Sequence, residues 1–254
     1  KAGTNTYFSS FSAYSGGGGG GSGGSIWLQT GSGFDIHGAL DVSGGMGGPG
    51  YYYKYYNNSY AYYNCAGGDA GDGRIKLDGP VPPALAGDVA FTGVVAAGTG
   101  AAISGGSGTT NWTVSSSTTV DTNSGSGAPS GTFSSGRFNV KNFTVSSGAT
   151  LTVRGSNPFI VYASGDVDIS GTIRAVGSDA SDYTSTGAYS SSSGFRAYTY
   201  VYGGSGNAGG GDGGRNVSNL SYYVPPPPGL DGLNASNGKG AGKHGAATTS
   251  PFKY

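Results

Sequence analysis

The sequence has little of what helices are built from. Glutamate is absent, and Met46 and Gln29 are the only residues of their kinds among 254. Unbranched side chains of this type stabilise helices, whereas serine, threonine, valine and tyrosine favour strands and turns. We therefore predict an all-β chain.

The sequence also lacks an excess of charge of either sign. Thirteen lysines and arginines balance thirteen aspartates, so the formal net charge is zero. A nucleic-acid-binding protein needs a basic surface, and no lysine or arginine cluster provides one here. Low charge weakens the repulsion between copies, so self-association is permitted.

Cysteine is rare, and long apolar runs are missing. Cys65 is the only cysteine, which excludes a disulfide framework within the chain and a cysteine-based metal cluster. No apolar run reaches the 18 or more residues of a membrane-spanning helix. We predict no membrane span, and the sequence gives no reason to expect a cofactor.

Histidine is almost absent, which limits the chemistry open to the chain. His37 and His244 are the only two histidines. In "DIHG", His37 would lie on the same strand face as Asp35, since alternate residues share a side. A histidine that faces water in a turn explains the motif equally well, so we expect no enzymatic activity from it.

Aspartates next to glycines allow two further interpretations. Asp166 with Asp168, or Asp35 with Asp41, could supply a carboxylate pair for cleavage of sugar chains. "GDAGDGR", with its two aspartates Asp69 and Asp72, is similar to a calcium loop but lacks the closing glutamate. Aspartate is common in turns for backbone reasons alone, and we favour that explanation.

The most regular pattern lies in "NFTVSSGATLTVRGSNPFIVYASGDVDISGTIRAVG", residues 142–177. The segments FTV, TLTV, FIVY, DVDI and TIRA recur there at short intervals between serine, glycine and proline turns. Val167 and Ile169 alternate with Asp166 and Asp168, so we expect the first two to face the core and the others to face water. Short strands at regular intervals predict a short-strand β-solenoid or a β-sandwich-like module.

A second copy of this pattern lies near the beginning of the chain. "SIWLQTGSGFDIHGALDVSG", residues 25–44, aligns without a gap on "PFIVYASGDVDISGTIRAVG", residues 158–177. Asp35 and Ile36 then correspond to Asp168 and Ile169. Each copy runs into a tyrosine-rich stretch and then into glycine, so we interpret the two as repeated modules.

The chain divides accordingly into four parts. Residues 1–79 form the first glycine- and tyrosine-rich β module, and residues 137–215 form the second. Residues 80–136 are a proline-rich joint with serine- and threonine-rich strands, and residues 216–254 are a proline- and glycine-rich extension. The first residues have the aromatic and glycine parts without preceding strands, and the last copy lacks the strands that should follow its glycines. We expect a neighbouring copy to complete both units.

Eight tyrosines occur among the thirteen residues from Tyr51 to Tyr63, between glycine-rich segments. Glycine lets extended, polyproline II-like segments approach closely, and tyrosine rings can cover such segments while their hydroxyls stay hydrated. We expect these tyrosines to form contacts, although a loop without fixed structure is the alternative. The predicted contact residues are Tyr51, Tyr52, Tyr53, Tyr55, Tyr56, Tyr60, Tyr62, Tyr63, Tyr198, Tyr200 and Tyr202.

The successions "FTVSSGATLTV" and "GDVDISGTIRAVG", with "GGGGGGSGGSIWLQTGSGFDIHGALDVSGGMGG", resemble the glycine-rich repeat regions of exported bacterial surface proteins and phage tail fibres. The resemblance implies a solenoid-like β fold in which glycine-rich excursions separate strand motifs. It implies no catalytic residues. The tyrosine-rich insertions and the permuted order of the motifs depart from that pattern.

Six N-x-S/T sequons are consistent with an exported, glycosylated surface; their asparagines are Asn57, Asn111, Asn142, Asn216, Asn219 and Asn234. Together these features predict a structural subunit of an extracellular fibre that assembles from copies of itself, head to tail. The alternative is a receptor- or glycan-binding adhesin or a phage tail-fibre module, with glycans or a cell surface as partner.

Overall fold

The computed structural model describes part of the chain in full and part as backbone only. Full description covers residues 18–48, 67–80, 108–134, 136–180 and 203–214. Backbone strands are described at residues 10–15, 51–56, 59–64, 84–85, 90–92, 94–99, 198–201 and 216–219.

The described residues form strands and no helix, which confirms the prediction of an all-β chain. In chain order the strands are β1 (Ser10–Ser15), β2 (Ser25–Thr30), β3 (Phe34–Ile36), β4 (Ala39–Asp41), β5 (Tyr51–Tyr56), β6 (Ser59–Asn64), β7 (Arg74–Gly79), β8 (Ala84–Leu85), β9 (Ala90–Thr92), β10 (Val94–Thr99), β11 (Trp112–Val114), β12 (Thr118–Asp121), β13 (Phe133–Ser134), β14 (Arg137–Val140), β15 (Phe143–Val145), β16 (Thr150–Arg154), β17 (Phe159–Ala163), β18 (Val167–Ile169), β19 (Thr172–Arg174), β20 (Tyr198–Val201) and β21 (Asn216–Asn219). Strands β15 to β19 match the five predicted segments of residues 142–177.

Three sheets contain most of these strands. Sheet 1 has the order β10-β7-β2-β17-β14-β13, sheet 2 has β11-β15-β18-β3-β8, and sheet 3 has β12-β16-β19-β4-β9. Every pairing in them is parallel except the one between β13 and β14. Two antiparallel sheets, β1-β5-β6 and β20-β21, lie outside this arrangement.

Consecutive strands of the chain belong to sheets 1, 2 and 3 in that order, and three such strands make one turn. Turn A is β2, β3 and β4; turn B is β7, β8 and β9; turn D is β14, β15 and β16; turn E is β17, β18 and β19. Along the stack the turns lie in the order D, E, A, B. Strands β10, β11 and β12, which we name turn C, also visit sheets 1, 2 and 3 in order. They are split, because β10 lies beyond turn B and β11 and β12 lie beyond turn D.

Turns E and A stack directly on each other, although residues 80–136 separate the two copies in the sequence. Ile26 pairs with Phe159, Asp35 with Asp168, and Leu40 with Ile173. This register is the gapless sequence alignment of the two copies, whose predicted correspondence is therefore a physical contact. Parallel in-register pairing places like residues on like, so apolar positions meet inside the stack.

The core consists of the inward side chains of all three sheets. Leu28, Ile36, Leu40, Val167 and Ile169 are fully buried. Burial of each such side chain is worth roughly 1.5–3 kcal/mol. The predicted alternation is confirmed, since Asp166 is exposed and Asp168 is half-buried beside the two buried residues of β18.

At the turn D end, four aromatic rings pack with centroids 4.9–6.3 Å apart: Trp112, Phe138, Phe143 and Phe159.

A polar cap, residues 121–134, covers the turn D end of the stack. It lies along the free edge of β12, where the Asp121 N–H donates to the Ser126 carbonyl, and β13 occupies the edge of β14. Ala128 and Phe133 pack on the core from the cap. Polar surfaces of this kind protect the ends of stacked repeats.

We expect one acid-sensitive point in this cap. The Asp121 carboxylate accepts the Ser124 N–H (2.8 Å), the Ser124 hydroxyl (2.9 Å) and the Asn123 N–H (2.9 Å). These bonds, led by the Ser124 N–H, hold the pKa of Asp121 below its ordinary 3.8. Because the folded-state pKa lies below the unfolded one, the stabilisation is present above pH 3.8 and is lost as the pH falls through the folded-state pKa.

The variant Asp121→Asn should therefore lose less unfolding free energy than the parent on acidification from about pH 5 to about pH 3. Urea denaturation at both pH values measures this difference. Asp166→Asn is the control, since the exposed Asp166 carboxylate accepts no hydrogen bond from a described residue. An acid response of Asp121→Asn equal to the parent's would contradict the assignment.

Candidate functional site

Four extended segments and one segment that folds back on itself at Ala208 and Gly209 pack side by side next to the strand turns; we name them the glycine bundle. Segment I is residues 18–24, segment II 42–48, segment III 67–73, segment IV 175–180 and segment V 203–214. Segments I and II flank turn A in the chain, segment III precedes turn B, and segment IV follows turn E. The bundle therefore lies beside the contact between turns E and A.

Segment I lies at the centre of the bundle, and its N–H groups donate to three neighbours in rotation. The acceptors belong to segments V, III and IV, and the order then repeats: Gly19 to Gly214, Gly20 to Gly68, Gly21 to Ser178, Ser22 to Gly211, Gly23 to Gly71 and Gly24 to Ala175, all between 2.8 and 3.1 Å. A period of three equals the three residues per turn of a polyproline II helix. Segment I thus finds its hydrogen-bond partners within the same chain.

Segment II extends this pattern at the edge of the bundle. Its Gly45 and Gly48 donate to the carbonyls of Gly21 and Gly18, three residues apart on segment I. Segments III and IV donate to segment II at the same spacing: Gly67 to Gly48, Ala70 to Gly45, Gly73 to Val42, Gly177 to Ser43 and Ala180 to Met46.

Glycine is required in the bundle because backbones approach one another where a side chain would otherwise lie. A Cβ added at Gly21 would overlap the Ser205 carbonyl, and a Cβ added at Gly23 would overlap the Val42 carbonyl. Ser22 is the one residue of segment I with a side chain. Its fully buried hydroxyl accepts the Gly211 N–H at 2.7 Å.

Aspartates satisfy the N–H groups that face outward from the bundle. Asp72 accepts from Gly44 (3.0 Å), Asp69 from Gly47 (2.8 Å) and Asp179 from Met46 (2.7 Å), all on segment II. Asp212 accepts from Gly206 within segment V at 2.9 Å. The three-residue spacing of Asp69 and Asp72 therefore matches the bundle period, and among the described residues no three acidic, histidine or cysteine side chains gather where a metal ion could bind.

The tyrosine-rich stretches form strands. Tyr51–Tyr56 and Ser59–Asn64 pair antiparallel as β5 and β6, with Tyr53 opposite Tyr62 and Tyr55 opposite Tyr60, and β1 pairs with the other edge of β5. Tyr198 and Tyr200 lie in β20, while Tyr202 lies outside the described residues. The side chains of the predicted contact tyrosines also lie outside them.

Two of the six sequon asparagines lie in fully described parts of the chain. Asn111 is exposed, whereas Asn142 is half-buried and engaged twice. The Asn142 amide nitrogen donates to the Asn111 side-chain oxygen at 3.1 Å, and the Asn142 oxygen accepts the Asp166 N–H at 3.0 Å. Asn216 and Asn219 are described only as backbone of β21, and Asn57 and Asn234 lie outside the description.

The residues considered for catalysis lie on the outer face of the sheets. His37 Nε2 is 2.7 Å from Asp35 Oδ1, and both side chains are more than half exposed. Asp35 and Asp168 are neighbours in register, and Asp168 accepts the Ser170 hydroxyl at 3.1 Å. Asp41 pairs instead with Arg174 at 3.3 Å. The structure thus brings Asp35 next to His37 and Asp168, on an open face.

A cluster on the outer face of sheet 1 was not predicted from the sequence. Trp27 Nε1 donates to Asp78 Oδ2 at 2.8 Å, and Lys76 Nζ lies 2.8 Å from the same oxygen and 4.2 Å from the centre of the Trp27 ring. Tyr162 packs edge-on to Trp27 at 5.8 Å. The strand alternation that buries Ile26 and Leu28 predicts that Trp27 faces outward. This was the sequence pattern from which the cluster could have been predicted.

Gln29, the only glutamine, lies between Tyr162 and Asp78 in this sheet. It is 1% exposed, and within the described part of the chain neither its side-chain nitrogen nor its oxygen has a hydrogen-bond partner. An unsatisfied buried amide costs about 1–3 kcal/mol.

No protein-family model matches the chain, and neither a curated protein nor a solved structure matches it. In the part of the chain that the structure describes, no helix has the length and apolar character to cross a membrane.

Gln29→Met should raise the free energy of unfolding by about 1 kcal/mol or more, because it keeps the volume of the side chain and removes the unsatisfied amide. Gln29→Glu is the matched control and should be destabilising, because it buries a carboxylate next to Asp78. Urea unfolding of the three proteins measures the effect, and a Gln29→Met variant less stable than the parent would contradict it.

Gly23→Ala should destabilise the chain by more than about 2 kcal/mol, because its Cβ would overlap the Val42 carbonyl and lie 2.6 Å from the Gly73 nitrogen. Gly33→Ala is the control, since a Cβ there would meet no atom within 4 Å. Thermal unfolding followed by circular dichroism compares the two. Equal stability of both variants would show that close packing of the bundle does not hold the fold.

Proposed function

We propose that the chain is a structural subunit of an extracellular fibre, assembled head to tail from copies of itself through β and glycine-rich contacts. In this proposal the stacked turns form one short β-solenoid whose axis follows the fibre. The chain acts as a scaffold, and no catalytic role is proposed.

The observation that carries the proposal is the complementary shape of the two ends of the stack. At one end sheet 1 extends past sheets 2 and 3 by the strand β10. At the other end sheets 2 and 3 begin with β11 and β12, and the short antiparallel strand β13 of the cap occupies the matching edge of sheet 1. One end therefore offers the first strand of a turn, and the other end offers its second and third once β13 leaves the edge of β14. Contacts between unlike surfaces of this kind propagate into open filaments.

The character of the surface and of the bundle supports the same function. Zero net charge leaves little repulsion between stacked copies. The glycine bundle is held by backbone hydrogen bonds with a fixed three-residue period, which can continue from chain to chain without any special side chain. Exposed Asn111, in its N-x-T sequon, would be accessible to glycosylation on an exported fibre.

A second function, attachment to glycans, is favoured by the cluster on sheet 1. Trp27 and Tyr162 are half-buried aromatic residues; the exposed Lys76 lies beside Trp27, and both are bound to the buried Asp78 carboxylate. Aromatic rings next to charged and hydrogen-bonding groups can bind a sugar ring by contact and by hydrogen bonds. Under this alternative the chain would be an adhesin or a fibre tip that binds cells as a discrete particle.

Negative-stain electron microscopy of the purified full chain separates the two functions. Filaments of uniform width support the fibre subunit. Discrete particles that bind a glycan array, and lose that binding in a Trp27→Ala variant, support the adhesin and overturn the fibre subunit.

Replacement of Tyr51, Tyr52, Tyr53, Tyr55 and Tyr56 by serine should weaken assembly. Loss of one aromatic pair is worth about 1 kcal/mol, and several such losses should raise the critical concentration for filaments about tenfold or more. Sedimentation of filaments at a series of concentrations measures this.

The control for this change is Thr144→Ser, because Thr144 pairs in register with Asp168 between turns D and E, which belong to the same half of one chain. Circular dichroism should show that the β signal of the subunit is retained in both variants. If the critical concentration stays at the parental value in the β5 variant, these tyrosines do not contribute to assembly.

A further inference from the structure

We propose that copies in the fibre exchange halves, so that turn E of one copy pairs with turn A of the next and each chain runs through turns A, B, C, D and E in unbroken order. This inference rests on the proposed fibre function and specifies the contact by which it forms. The described structure is then the closed form, in which turn E returns to turn A of its own chain.

The first argument is the split of turn C. Strands β10, β11 and β12 follow one another in the chain and belong to sheets 1, 2 and 3, as the strands of the other four turns do. In the closed form β10 pairs with β7, while β11 and β12 pair with β15 and β16. One piece of turn C, strand β10, therefore lies next to turn B. The other piece, strands β11 and β12, lies next to turn D at the opposite end of the stack.

The second argument concerns the length of the connection between sheets 1 and 2. In the unbroken turns this connection is residues 31–33, 80–83, 141–142 and 164–166, whereas β10 and β11 are joined by residues 100–111. In the closed form β10 and β11 lie five strand spacings apart along the stack, which is roughly 24 Å. Twelve residues can extend to roughly 40 Å, so they allow the return path and also an ordinary turn with an excursion.

The third argument is direction. In sheet 1 the chain moves from β2 to β7 to β10 toward one end of the stack, and from β14 to β17 it moves the same way. All these strands are parallel. The two halves can therefore be joined through a complete turn C without reversing any strand.

The fourth argument is that the contact between successive copies already exists in the closed form. It includes the in-register pairing of turns E and A, the Arg174–Asp41 ion pair and the Thr30 hydroxyl bond to the Gly165 carbonyl. It also includes the hydrogen bonds of bundle segments I and II to segments IV and V. In the fibre all of these would join two chains with unchanged geometry.

The exchange requires one local change, at the cap. For turn B to stack on turn C and for turn C to be complete, β8 must pair with β11, β9 with β12 and β10 with β14. The Asp121 N–H bond to Ser126, the Asn139 N–H bond to Thr132 and the pairing of β13 with β14 must then open. These contacts lie at the end of the stack, so their opening removes the packing of Phe133 on Phe138 and leaves the pairings of turns D, E, A and B intact.

Disulfide trapping between two differently labelled chains tests the exchange. Ala39 and Thr172 are partners in register across the contact of turns E and A, and neighbouring parallel strands bring their backbones within disulfide range. One chain carries Ala39→Cys and the other Thr172→Cys, both with Cys65→Ser. The two chains are mixed in denaturant, refolded at the concentration at which the parent forms filaments, and oxidised.

The matched control mixes chains that carry Thr150→Cys and Thr172→Cys. Thr150 and Thr172 are also partners in register, but turns D and E belong to the same half of the chain. We expect the mixed disulfide dimer for the first pair and none for the control. Filaments without the mixed dimer of the first pair overturn the exchange and leave the fibre function standing, whereas absence of filaments from the parent overturns the fibre function itself.

Changing the length of the connection gives a second, independent test. Deletion of residues 101–107 leaves five residues between β10 and β11, which reach about 18 Å and fall short of the roughly 24 Å between the two strands. This variant should lose the monomer and retain assembly, since an unbroken turn needs no longer connection. A folded monomer of the deletion variant would overturn the exchange.

A variant in which residues 101–107 are duplicated keeps this test decisive if the deletion variant does not fold. A longer connection favours the closed form, so its share of monomer in analytical ultracentrifugation should exceed that of the parent. An unchanged share of monomer in the duplicated variant would count against the exchange.

Discussion

The structure depends on parallel, in-register pairing of equivalent turns. Such pairing repeats each position of one turn directly over the same position of the next, so an apolar residue lies on an apolar residue along the whole stack. Leu28, for example, lies between Val161 and Leu77, and all three are fully buried. The same constraint places Asp35 over Asp168 on the outer face, where water can solvate both carboxylates.

Two backbone ladders with different periods meet at turns A, B and E. In the strands, side chains alternate with a period of two and pack the core. In the glycine bundle, N–H groups of segment I donate to three neighbours in turn with a period of three, and a Cβ at Gly21 or Gly23 would overlap a neighbouring carbonyl. Gly24 marks the junction in turn A: its N–H donates within the bundle to Ala175, while its carbonyl accepts from Arg74 at the beginning of β7. The register of the strands and that of the bundle therefore fix each other.

Much of this arrangement was predictable from the sequence because it repeats. The strands of residues 142–177, their alternation, and the correspondence of Asp35 with Asp168 all follow from local patterns that the fold preserves. The partners of isolated residues were not predictable in the same way. That Asp69 and Asp72 accept N–H groups of segment II depends on packing between segments 20 residues or more apart, and the motif alone also has a partial similarity to a calcium loop.

The split of turn C and the burial of Gln29 were also beyond the sequence. Local patterns indicate strands in the serine- and threonine-rich part that contains β11 and β12, but they do not say at which end of a stack a strand lies, since all turns present similar edges. Gln29 occupies an outward position of β2, which alternation predicts to be hydrated; the structure buries it, and no contact among the described residues explains why a polar side chain is kept there.

The glycine bundle also has a consequence for how stability varies with temperature. Its unfolding exposes peptide groups far more than hydrocarbon, and exposure of polar surface lowers the heat capacity, whereas exposure of apolar surface raises it. The bundle thus offsets part of the heat-capacity increment that the strand core contributes. The stability curve should in consequence be broad and shallow, with cold denaturation displaced to lower temperature than for a globular domain of equal length.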